Sequence, residues 1–144
     1  MEKRINDLIN EILDYKIQFG NGLQEEAYID LSMLLLKKAI TSYKFFRFFK
    51  RIYIKTAIFL LNYFQKSENF LEEVGELVIA KNKDYGEINL KEFGKFGIIV
   101  RLNDKINRYY NIKEKETTEV NESIVDTTKD IIGYCLLLLC YSRK

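Results

Sequence analysis

The chain has 144 residues with no proline, seven glycines, 47% apolar content and a net charge of only +2. It is long enough for one domain, 1–144, with a sizeable core, and its long stretches rich in Leu, Ile, Lys and Glu predict an all-α bundle of about five to six helices. Histidine is absent, which removes the commonest general base, the commonest zinc ligand and every Ser–His or Cys–His triad. Carboxylates, Lys, Arg, Tyr and a hard, oxygen-liganded metal such as Mg2+ remain.

Glu2 to Phe19 predicts a first helix, with Ile5, Leu8, Ile9, Ile12 and Leu13 at core spacing, closed by a turn at Gly20-Asn21-Gly22. Its charged opening is unlike a signal peptide. Leu23 to about Ile40 predicts a second helix with Tyr28, Leu31, Leu34 and Leu35 on its apolar face; the chain either breaks at Thr41-Ser42 or runs on. From Thr41 to Lys66 there are six bases and no acid. Within that segment, Tyr43 to Phe64 interleaves aromatics with bases and then becomes apolar on every side. A surface for nucleic acid or acidic lipid is one reading. The favoured one is a buried central helix, or a subunit contact, whose basic stems reach the rim, because no nucleic-acid motif is present. The segment predicts a homo-oligomer, with Phe45, Phe46, Phe48, Phe49 and Phe59 divided between core and intersubunit contact. Its apolar part is too short to span a bilayer.

Ser67 or Asn69 caps a predicted fourth helix running to about Lys83. Its core face is Phe70, Val74, Leu77 and Val78, and Glu72, Glu73 and Glu76 stand opposite. A loop from Asp84-Tyr85-Gly86 to about Lys91 leads to a fifth helix, Phe93 to Tyr110. Ile98, Ile99, Leu102, Ile106 and Tyr109 form its apolar side. Gly97, Arg101, Asp104 and Arg108 share a stripe about 60° wide on the other. That stripe is either a surface ion-pair ladder of little energetic weight or a pair of guanidiniums able to grip phosphate. After a charged loop, Asn121 to Cys140 forms the last helix. Glu122, Asp126 and Asp130 fall within about 80° of one another, on a line that continues through Gly133, Leu137 and Cys140. A carboxylate face that turns into core calls for a positive group opposite, either a metal ion or Lys and Arg from another helix. A solvated first turn whose acids suit the helix dipole accounts for Glu122 but poorly for Asp130. Cys135 and Cys140, five apart on one helix, cannot bridge each other; as buried thiols they fit a reducing cytoplasm.

Lys81-Asn82-Lys83-Asp84-Tyr85-Gly86, then Phe93-Gly94 and Gly97, then Arg101 to Lys105 with Arg108, then Asn121 to Ile124 leading to Asp126, Asp130, Gly133 and Tyr134, resemble the nucleotide modification associated domain. This family of phages and bacteria is similar to the all-α nucleoside triphosphate pyrophosphohydrolases of the MazG and dimeric dUTPase-like type. The resemblance runs from about Ser67 to Tyr141 and implies a MazG-like four-helix core over 67–141, leaving the role of 1–66 open. It implies Mg2+ held by Glu73 and Glu76, as an ExxE pair, together with Asp126 and Asp130, which would converge across a helix pair and act in catalysis. It implies nucleotide contacts from Lys81, Asn82, Asp84, Tyr85, Arg101, Asp104, Lys105, Arg108 and Tyr134, and a dimer or tetramer. The position three before Asp130 is Thr127 where those enzymes have Glu, and the nearest acid, Asp126, is offset by about 100° of helix. Two functions follow. One is a Mg2+-dependent pyrophosphohydrolase of a canonical or modified (d)NTP. The other is a non-catalytic binder of a nucleotide or nucleotide signal, a phage sponge or anti-defence protein, placed in the host cytoplasm if phage-encoded.

Overall fold

Where the apolar period is 3.6, the chain is helical: in the computed structural model α1 spans Glu2–Leu13, α2 Glu25–Thr41, α3 Arg47–Tyr63, α4 Phe70–Tyr85, α5 Ile88–Glu114 and α6 Glu119–Tyr141. The structure describes residues 2–15, 25–41, 47–65, 68–85, 88–114 and 119–141, and the side chains at 47–49, 82–85, 88–93 and 119–123 lie outside that description. Among the described residues there is no strand, and no helix is long and apolar enough to cross a membrane. The predicted turn at residues 20–22 lies outside the described residues, as do Phe45 and Phe46 and the side chains of Phe48 and Phe49.

α6 is the axis of the bundle. A helix that is apolar all round must be covered all round, and from Thr127 onward Ile131, Ile132, Gly133, Cys135, Leu136, Leu138, Leu139 and Cys140 are all buried. α5, α4, α3 and α1 pack against it, most closely α5, while α2 lies against α3 and α5. One contiguous hydrophobic cluster draws residues from all six helices. Burial pushes the Cys135 thiol pKa upward, as expected for a core cysteine rather than a reactive one.

The C-terminal carbonyls of α6 need donors from elsewhere, since a helix leaves its last four carbonyls without partners and this helix has no base in its last turn. Arg51 of α3 donates from Nη1 to the Leu139 carbonyl at 2.9 Å, and Arg4 of α1 from Nη1 to the Cys140 carbonyl at 3.4 Å. Lys55 of α3 reaches the other way, to Glu11 of α1 at 2.6 Å. Two bases of the aromatic segment thus pin helices together, in keeping with a buried α3 whose Ile54, Ala57, Ile58, Leu60 and Leu61 are core.

α2 and α5 run antiparallel, fastened by polar bonds at two levels. Lys113 Nζ binds both carboxylate oxygens of Asp30 at 2.7 Å and Glu26 at 3.1 Å. Seven residues further along α2, Lys37 Nζ donates to Asn103 and, at 2.9 Å, to Asn107. The core face of α2 differs from the one its leucines predict. Tyr28, Ser32, Met33, Leu36 and Ala39 are buried, whereas Leu31 and Leu34 are 44% and 60% exposed. The helix is apolar on several sides, so periodicity does not choose among its faces; the polar bonds of Asp30 and Lys37 to α5 do. Ser32 costs little inside, because its hydroxyl donates to the Tyr28 carbonyl at 2.9 Å. Leu13, the last residue of α1, and Leu77, on the edge of the α4 stripe, were also expected inside and are exposed.

Two glycines shape the frame. A Cβ at Gly75 would strike Ile9 Cδ1 and lie 3.4 Å from Ile5 Cγ2, so this residue sets the approach of α4 to α1. Gly94 takes φ 53° and ψ −144° and breaks α5 into two stretches; the predicted loop up to Lys91 is helical from Ile88, and the break falls at the glycine instead.

Gly75→Leu forces side-chain or helix movement between two buried isoleucines and is expected to destabilise the fold by about 1–3 kcal/mol, read as a lowered urea midpoint at unchanged slope. Alkali tests the α2–α5 joint. Burial, then the charge of Asp30, raises the Tyr109 pKa from 10.0 to about 12, and the hydrogen bond that Lys113 donates to Asp30 raises that of Lys113. Both protonated forms are favoured by folding, so their contribution is complete below about pH 10 and is lost as pH rises through 10 to 12. Thermal midpoints should fall across that window, and Tyr109→Phe should flatten the fall.

Candidate functional site

The predicted site residues stand on three helices around the N-terminal half of α6. On α4, Phe70, Leu71, Val74, Gly75 and Val78 form the buried stripe, so Glu73 and Glu76 project to the exposed side. Their shared motif has two halves of different purpose, since Gly75 within it serves packing. Glu72, next to the pair, is half-buried, and its Oε2 is buried with no hydrogen-bond partner. A carboxylate oxygen held that way favours a donor or cation arriving beside it. Lys81 is exposed at the far end of α4, and the side chains of Asn82, Asp84 and Tyr85 lie outside the described residues.

On α6, Asp126 is exposed while Thr127 and Thr128 are only 2% and 3% exposed. The one-residue offset noted in the sequence therefore separates two environments: position 127 faces the bundle and position 126 faces solvent. Asp130 is partly covered and bonded to Lys105 Nζ of α5 at 2.9 Å, their side chains 34% and 27% exposed. Of the two positive partners that the acidic line called for, Asp130 thus has a lysine. Gly133 lets α4 close on α6, with Val78 Cγ2 lying 3.1 Å from where its Cβ would be, and Lys129 sits 5.9 Å from the centroid of the Phe70 ring. Tyr134 is half-buried against the core. Among the described residues no group of three or more acids or thiols stands close enough to hold a metal ion.

On α5, Arg101, Asp104 and Arg108 are exposed and Lys105 is half-buried. Rotation explains this. Lys105 lies between the arginine stripe and the apolar side formed by Ile98, Leu102, Ile106 and Tyr109, and so can reach across to α6. Among the described residues Arg101 and Arg108 enter no ion pair, so the ladder with Asp104 does not form. Two guanidiniums about two turns apart remain available to an anion, beside a lysine whose charge is already balanced.

Sequence reading set Glu72 on the polar face of α4 with no role, where the structure half-buries it, and missed the inward turn of Thr127 and the Asp30–Lys113–Tyr109 cluster. A lone acid in the apolar run Tyr28 to Leu36 was the available signal for the last. The Tyr109 hydroxyl lies 3.5 Å from Asp30 Oδ1, and this cluster joins α2 to α5.

A helical bundle carrying a guanidinium stripe beside a row of carboxylates is the class these features define. Residues 81–140 are similar to the family model described as nucleotide modification associated domain 1. The match begins in the last turns of α4 and covers α5 and nearly all of α6, less than half of the chain; it leaves out Glu73 and Glu76. No curated protein and no solved structure matches the chain.

Because the Lys105–Asp130 pair is partly solvated, its coupling should be modest, below about 1 kcal/mol. A double-mutant cycle of Lys105→Met and Asp130→Asn, followed by urea unfolding, measures it; each single variant should remain folded.

Proposed function

We propose that the chain binds a nucleotide through its phosphates on the exposed face of α5, beside the N-terminal half of α6. The observation that carries this reading is the pair of arginines, Arg101 and Arg108, exposed on one stripe and committed to no carboxylate among the described residues. Guanidiniums bind phosphate oxygens bidentately, and the family match over the same helices points to nucleotide chemistry. Lys105, Asn82, Asp84, Tyr85, Asp104 and Tyr134 would frame the sugar and base, with Lys81 adding positive charge at the end of α4. The cytoplasm is the setting that this ligand and the two buried thiols, Cys135 and Cys140, fit.

Binding without turnover is the form the geometry favours. Glu73 and Glu76 point outward from α4, Asp130 is held by Lys105, and Asp126 faces solvent, so a cage of three carboxylates is not assembled among the described residues. The donor chemistry nonetheless suits Mg2+, a hard ion commonly held by one or two carboxylates together with substrate phosphates. Asp126 and Asp130, with Glu73, Glu76 and the uncompensated Glu72 on α4, would be its holders. When bound, the ion would neutralise phosphate charge and assist attack by water. The orphaned oxygen of Glu72 is the observation that keeps hydrolysis of a (d)NTP to its monophosphate and pyrophosphate as the second reading. Phe96, Val100, Leu31 and Leu34 are exposed apolar residues on α5 and α2, and with the aromatic segment they favour a homo-oligomer, dimer or tetramer.

Equilibrium binding and turnover of a panel of canonical and modified (d)NTPs with Mg2+ separate the readings. Arg101→Ala and Arg108→Ala should each weaken nucleotide binding by roughly 1.5–3 kcal/mol, with unchanged circular dichroism. Tight binding without product is the expected outcome. Mg2+-dependent release of pyrophosphate that falls by orders of magnitude in Asp130→Asn would establish the enzyme instead. Unaltered affinity in both arginine variants would remove the phosphate grip from α5.

A further inference from the structure

The outer face of α2 is apolar and faces solvent. Asp30 and Lys37 fix the rotation of this helix by their bonds to α5, and that rotation leaves Ala27, Leu31, Leu34 and Lys38 outside, all four exposed. At 100° per residue they fall within about 60° of arc, at the i, i+4, i+7, i+11 spacing of a helix-packing seam. Leu31 and Leu34, 44% and 60% exposed, form its centre. A small residue closes the strip at one end and a long-stemmed base at the other.

That order is its own complement. When a second copy is laid antiparallel, with a two-fold axis level with the step from Ser32 to Met33, Leu31 meets Leu34 of the second copy and the Lys38 stem lies across Ala27. Charge agrees with the same register. The N-terminal end of α2 carries Glu25, Glu26 and Asp30, and Lys113 is bonded to the last two, so acid is in excess there. Towards the other end, Lys37 is bonded to the neutral Asn103 and Asn107. Lys38 enters no ion pair among the described residues. Antiparallel apposition sets the basic end of each copy against the acidic end of the other and opposes the helix dipoles, whereas parallel apposition would set like charges together. Lys38 then comes level with Ala27, between Glu26 and Asp30 of the second copy.

We propose that the outer face of α2 is a homodimer contact in which two copies of this chain pair antiparallel, Leu31 against Leu34 and Lys38 against the acids of the α2 N-terminus. The contact rests on the homo-oligomer reading above and gives it a particular face. It is separate from the nucleotide reading, since Arg101 and Arg108 lie on the side of α5 turned away from Asn103 and Asn107, which meet α2. A helix of 17 residues is about 25 Å long, too short to supply a standard-size interface alone. The dimer is therefore weak and reversible, with dissociation in the micromolar range.

Sedimentation equilibrium of the intact chain across the micromolar range, at low and at high salt, is the test. A reversible dimer that high salt weakens is expected. Leu34→Ser should weaken dimerisation roughly tenfold or more, since each dimer loses the leucine twice, while circular dichroism stays unchanged because the side chain is exposed. Lys38→Glu and Glu26→Lys should each weaken self-association roughly tenfold. An equal mixture of those two variants should regain a dimer containing one of each, because both of its charge contacts again join opposite signs. Failure of the mixture to regain a dimer overturns the antiparallel register. A dimer that survives Leu34→Ser and is lost in Phe96→Ser overturns the α2 contact and leaves the homo-oligomer reading standing on α5. A chain that stays monomeric throughout the range overturns both.

Discussion

Everything in this bundle depends on covering α6. Its second half offers apolar surface in every direction, and no arrangement of two layers could bury it; four helices must surround it. That requirement places α1, α3, α4 and α5 and leaves α2 to close the remaining side of α3 and α5. It also creates a polar problem, because the α6 carbonyls at Leu139 and Cys140 end among neighbours. Arg51 and Arg4 solve it from two other helices. Charge complementarity at a helix C-terminus is usually local; here it is supplied by tertiary contact and binds the N-terminal half of the chain to the C-terminal half.

The polar end of α6 follows the opposite logic. There the helix leaves the core, and its acids meet partners according to small rotations. Thr127 faces inward, Asp126 faces outward, and Asp130, between them in exposure, is reached by Lys105. Lys105 is taken by this contact, and the two arginines that flank it on α5 are not. An ion pair that is energetically minor at a half-exposed position can therefore decide which cations stay open to a phosphate. Two bases of α3, Lys55 and Arg51, are likewise committed, to fastening helices.

The all-α class, a bundle of about five to six helices and most of the faces of α1, α4 and α5 were legible because strongly two-sided stretches with one apolar arc admit one solution. Ile5, Leu8, Ile9 and Ile12 on α1, and Ile98, Leu102, Ile106 and Tyr109 on α5, are buried as their spacing requires. The buried aliphatic stripe of α3, Ile54, Ala57, Ile58, Leu60 and Leu61, was legible too, since bases on long stems can ring an apolar helix, whereas Tyr53 and Phe59 are half-buried and Tyr63 is exposed. α2 was not. With leucines or isoleucine at 29, 31, 34, 35 and 36, several faces are equally apolar, and two polar bonds to α5 choose between them. Of the acids on the predicted line of α6, Asp126 is exposed and Asp130 is paired with Lys105, a division that spacing along one helix does not encode.

Sequence alone determined which residues are able to do chemistry here: without histidine, only carboxylates, amines, guanidiniums and phenols remain, and they fall on identifiable helix faces. Tertiary structure decided which of them are free to act. Pairing depends on the angle and height at which two helices meet, a few ångströms that local periodicity does not encode. That is why, among the described residues, Asp130 finds Lys105, Arg101 and Arg108 enter no ion pair, and Glu72 keeps a buried oxygen without a donor.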